Sequence, residues 1–100
     1  MKIFEQESAK TLYKALLSLK TEDECRAFLE DDCTIKEVAD MSQRLEAAML
    51  LSEGHNYPQI GERLGISTAT ISRVSRCLNY GAGGYVTVIE RLGKGEGADE

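Results

Sequence analysis

Residues that bind metals or form disulfides are scarce in this chain of 100, which has three cysteines, Cys25, Cys33 and Cys77, and one histidine, His55. The cysteines lie too far apart for a CxxC site, and their odd number does not close a disulfide framework. Buried free thiols are the plain expectation, with redox sensing by Cys33 or Cys77 as the alternative. A metal site would require the fold to gather these cysteines with His55, and none is expected. The N-terminus, MKIFEQESAK, lacks the apolar run of a signal peptide, and no segment reaches the length of a membrane span. A cytoplasmic protein with no membrane partner is expected. Phosphate-cradling loops are missing too. Gly81, Gly83 and Gly84 in NYGAGGY do not fit GxGxxG and follow no strand pattern, which leaves a helix stop and turn. No nucleophile with its base and no carboxylate pair stands out, so neither an enzyme nor a catalytic residue is expected. There is no internal repeat.

Acid is what one stretch lacks. From Ser67 to Leu78 there is no Asp or Glu, although the chain has a net charge of −5. Residues 1–53 carry 7 basic against 12 acidic side chains, residues 54–92 carry 4 against 2, and residues 93–100 carry 1 against 3. An acidic body repels nucleic acid, so any DNA contact must be confined to the basic face and will be weak without specificity.

The length suits one domain, residues 1–92, followed by a flexible acidic tail, GKGEGADE, over 93–100. Ala9, Leu12, Tyr13, Leu16 and Leu17 recur at three- and four-residue steps, which predicts an amphipathic helix over 5–20. Thr21 followed by Glu24 has capping-box spacing and starts a short helix through Ala27, Phe28 and Leu29, with Glu30, Asp31 and Asp32 as its exposed end. Thr34 and Glu37 form a second box, opening a long helix with Ile35, Val38, Met41, Leu45 and Ala48 along one stripe. In LEAAMLL only Glu46 is charged, so most of that circumference must be covered, as in a central helix. Gly54 ends it, and Pro58, the one proline, fits the first turn of the next helix. Tyr85, Val86, Val88, Ile89 and Leu92 form a last short amphipathic helix. Six helices make an all-α protein, and so much apolar helix surface in a short chain points to a homodimer with a shared core.

Two of these helices, over residues 57–78, read as a helix-turn-helix. Ile60, Gly61 and Leu64 face inward from the first; Ile66, Ile71 and Val74 face inward from the second. Gly61 sits where the helices come closest, and Gly65 can take the positive φ of a sharp helix exit. Ser67 can cap the second helix, whose outward Thr68, Ala69, Thr70, Ser72, Arg73 and Arg76 suit a DNA major groove. Thr68 and Thr70 offer hydroxyls and methyls to base edges, Ala69 offers a methyl to thymine, and Arg73 or Arg76 offers a fork to guanine or phosphate. Gln59 and Arg63 can hold the DNA backbone. The leading reading is a sequence-specific DNA-binding regulator, a repressor that occludes a promoter. The alternative is a protein-interaction module whose helix-turn-helix packs on a partner without touching DNA.

Over CTIKEV, QRLEAAMLLSEG, STATISRVSRCLNYG and GGY the chain resembles the Trp repressor superfamily, most closely the Trp-repressor-like YerC/YecD family. The resemblance spans nearly the whole chain. It implies an intertwined helical homodimer with two heads that read double-stranded DNA at a palindromic operator. In the Trp repressor a small aromatic amino acid sits between core and reading head, held partly by arginines and a threonine. The resemblance puts Thr34, Arg44 and Arg73 at those positions, and a guanidinium can grip a carboxylate in bidentate fashion. Arg44 has a competing structural role in a salt bridge with Glu37 or Asp40, and Arg73 as a base or phosphate contact. The chain departs from the pattern elsewhere. Asp31 falls near an apolar pocket position, Val74 replaces a glycine, Cys77 replaces a serine, and the segment between Gly54 and Ile60 is one residue shorter. We therefore expect no response to tryptophan; a different small-molecule corepressor stays open, and no other cofactor is expected.

Overall fold

A computed structural model describes residues 2–98, with side-chain surroundings through residue 93. Among the described residues there are six α-helices and no strand: α1 (Glu7–Ser18), α2 (Glu22–Asp32), α3 (Ile35–Ser52), α4 (Tyr57–Leu64), α5 (Thr68–Tyr80) and α6 (Gly84–Ala98), with a 3-10 turn at Ile3–Glu5. The expected all-helical class holds. Contacts divide the chain into two units, Met1–Val38 and Ala39–Glu100.

In the first unit α1 begins at Glu7, later than the apolar spacing predicts, because the chain ahead of it is already committed to another turn. The Tyr13 hydroxyl donates to the Phe4 carbonyl at 2.7 Å, and Gln6 between them is extended. Thr21 caps α2 by accepting from the Glu24 N–H at 3.0 Å, while the Glu24 carboxylate accepts from the Lys20 N–H, one residue ahead of the cap. Thr34 and Glu37 close a reciprocal box at the start of α3, at 3.1 and 2.8 Å. No residue of α1 or α2 is buried, and large apolar side chains stand in the open: Phe4 is 77% exposed, Leu17 84% and Ile35 92%. The stripes read from the sequence are present, but this chain does not cover them.

The second unit holds the core. Ala47, Ala48 and Leu50 of α3, Ile60 of α4, and Ile71 and Val74 of α5 are its buried residues. The two alanines present no more than methyls, so Ile60, Ile71 and Val74 can pack close to the α3 backbone. Burying each of these three branched side chains contributes about 1.5 to 3 kcal/mol. Leu51, Tyr57, Leu64, Ile66, Tyr85 and Ile89 pack around the cluster, the last two from α6. LEAAMLL is thus covered over one side, with Leu45, Met49 and Leu51 half-buried. The helix α6 continues past Leu92 to Ala98, into the stretch 93–100 that the sequence reading assigns to a tail, of which residues 99 and 100 lie outside the described residues. Among the described residues no helix is long and apolar enough to cross a membrane.

Candidate nucleic-acid interface

The helix-turn-helix is built by local chemistry at each end of its two helices. Asn56 caps α4 in a reciprocal box: its side chain accepts from the Gln59 N–H and the Gln59 side-chain Oε1 accepts from the Asn56 N–H, each at 2.9 Å. Pro58 sits in the first turn, where its missing N–H costs nothing. Gly65 ends α4 in the left-handed region, φ 68° and ψ 34°, with its N–H on the Gly61 carbonyl. Ser67 caps α5, its hydroxyl accepting from the Thr70 N–H at 3.2 Å. Gln43 on α3 donates to the Leu64 carbonyl at 3.3 Å, so the core helix also bonds to the last turn of α4. Gly61 does lie at a close approach. A methyl there would sit 3.4 Å from the Ile66 carbonyl oxygen and 3.7 Å from Ile71 Cδ1, snug rather than forbidden.

Ile71 and Val74, each 1% exposed, fix the rotation of α5 against the core. That rotation turns Thr68, Ala69, Arg73 and Arg76 outward, all exposed. Gln59, Arg63 and Ser67 are exposed as well. Gln59 uses its oxygen in the cap, leaving its N–H bonds to donate. Thr70 and Ser72 are half-buried, and the Thr70 hydroxyl lies 3.1 Å from that of Ser67, which ties it to the turn. The face is free of opposing charge along the sequence: from Arg63 to Ile89 there is no acidic residue.

The residues proposed to hold a ligand are placed differently. Thr34 belongs to the first unit, where its hydroxyl and N–H are both engaged in the α3 cap. Arg44, half-buried on α3, and Arg73, exposed on α5, belong to the second. Glu37 turns a carboxylate oxygen to the Thr34 N–H. Val74, where the related pattern has glycine, fills space in the core.

The expectation of buried thiols needs correction. All three cysteines are free, but Cys25 and Cys77 are exposed and Cys33 is half-buried. Cys25 lies among the acids of α2, and Cys77 follows Arg76 on α5. Among the described residues no three His, Cys, Asp or Glu side chains gather into a metal site. Two features escaped the sequence reading. One is the Asn56–Gln59 box, whose spacing was visible in the chain. The other is the continuation of the exposed α5 face to Asn79 and Tyr80, the latter 87% exposed.

Comparison with known proteins converges on one group. The family model for Trp repressor protein matches residues 7–93. The uncharacterized protein YerC of Bacillus subtilis is 49% identical over 81 residues, covering 81% of this chain and 78% of that protein. A crystal structure of a TrpR-like protein from Eubacterium eligens is similar with a TM-score of 0.88 and 49% identity, covering 93% of this chain and 96% of that one. A Staphylococcus aureus crystal structure has a TM-score of 0.86 and 37% identity, covering 93% and 95%.

Proposed function

The chain belongs to the Trp repressor family, and from that premise we propose that it is a sequence-specific DNA-binding repressor acting as a homodimer on a palindromic operator. The observation that carries this reading is the outward face of α5. A helix locked to its core by Ile71 and Val74 presents short groups, Thr68 and Ala69, beside two guanidinia, Arg73 and Arg76. Short groups allow a helix close to base edges, and an arginine fork matches guanine or phosphate. Arg63 and the Gln59 amide flank this face from α4 as phosphate donors. Thr70 acts through the turn more than through a base, because its hydroxyl is held by Ser67.

The family is one of regulators rather than enzymes, and the open apolar surfaces of α1, α2 and the start of α3 support self-association. Such a regulator works in the cytoplasm, where the DNA is. Genomic occupancy mapping of the tagged full chain tests the reading. A few discrete, shared-motif sites are expected, and loss of those sites in Arg73→Ala. Uniform or absent occupancy would favour the protein-interaction module instead.

A further inference from the structure

Ala69, Arg73, Arg76 and Tyr80 follow one another at steps of four, three and four residues, which places them in a single line along α5. All four are exposed, and Tyr80 at the far end is 87% exposed. The line runs from a methyl through two guanidinia to a phenol, so only its first position is short. A helix carrying such a line can approach a surface closely only at its Ala69 end and must stand off beyond it. Ala69 and Tyr80 are separated by about 16 Å of helix rise, more than the roughly 12 Å width of a major groove. With Ala69 at the groove floor, Tyr80 therefore lies over its edge, at the sugar–phosphate strand.

Resting on the DNA reading above, we propose that Tyr80 is a backbone contact of the reading helix, its hydroxyl donating to a phosphate oxygen. The absence of acid from Arg63 to Ile89 leaves no competing acceptor of like charge to the phosphate in this part of the sequence. A phenol is neutral, so Tyr80 sets the tilt and depth of α5 without adding counterion release. Arg76, one turn earlier, does add it.

The test uses the full chain, a duplex selected by the wild type from a random pool, and a scrambled duplex, with binding followed across a salt series. Tyr80→Phe and Tyr80→Ala should each weaken both duplexes by about a hundredfold, the loss of one hydrogen bond to a charged group from each subunit of the pair, with an unchanged salt slope. Arg76→Ala should weaken binding and flatten that slope by about 1.8, one phosphate contact from each subunit. Tyr80→Phe binding like the wild type would overturn the proposal while leaving the DNA reading intact. So would a loss of affinity that tracks lost self-association in light scattering, which would place Tyr80 between copies of the chain. A wild type that enriches no duplex would overturn the DNA reading itself.

Discussion

Truncating Leu17 separates a chain that stands alone from one that shares its core. In the single chain this side chain is 84% exposed, beside Leu12 at 41% and Leu16 at 45% on the same helix. Removing methyls that already face water should change stability by no more than about 0.5 kcal/mol. If a second copy covers α1, Leu17→Ala instead opens a cavity worth about 2 to 5 kcal/mol per subunit, and twice that per dimer. Urea unfolding of wild type and variant at two protein concentrations about a hundredfold apart reads both quantities. A folding-coupled dimer gains about 2.7 kcal/mol over that range, which moves the midpoint by roughly 1 M urea. We expect the wild-type midpoint to move in this way and Leu17→Ala to unfold at markedly lower urea. A concentration-independent midpoint together with a neutral Leu17→Ala would refute the shared core.

The other expectations follow from single contacts. Gly65→Ala should lower stability by about 1 to 2 kcal/mol in thermal melts, because a side chain is strained at φ 68°. Gly81→Ala should be worse tolerated, since a methyl there would collide with the Cys77 carbonyl. Ser67→Ala should cost about 0.5 to 2 kcal/mol through the lost α5 cap, with Ser67→Asp close to wild type by chemical denaturation. Titrating labelled DNA with an amino-acid panel should show no tryptophan enhancement; a strong enhancement lost in Arg44→Ala would assign Arg44 to a ligand after all.

Much of the fold was legible because it rests on short-range chemistry. Thr21, Thr34 and Ser67 each precede a helix at capping distance, and Gly65 follows one where only a residue without a Cβ is at ease. The reading head was legible for the same reason: Ile71 and Val74 define an inward stripe, and everything opposite them is outward. What misled was the use of apolarity as a proxy for burial. Ile35 and Leu17 are apolar and exposed, since among the described residues only six side chains are buried in the core. Cys77 was misplaced likewise, small and apolar in character but turned outward by the rotation that buries Val74. Arg44 was harder to read, because spacing offers it Asp40 one turn away and Glu37 two turns away, and Glu37 also answers to the Thr34 cap that the sequence announces.

Hydroxyl-radical footprinting on a duplex recovered by occupancy mapping tests the central claim, that the outward face of α5 reads DNA in a two-fold pair. The account predicts two protected patches on one face of the DNA, centred about 34 Å apart, both lost in Arg73→Ala at salt where the wild type still binds. A continuous or unphased footprint, or one unchanged by Arg73→Ala, would contradict it.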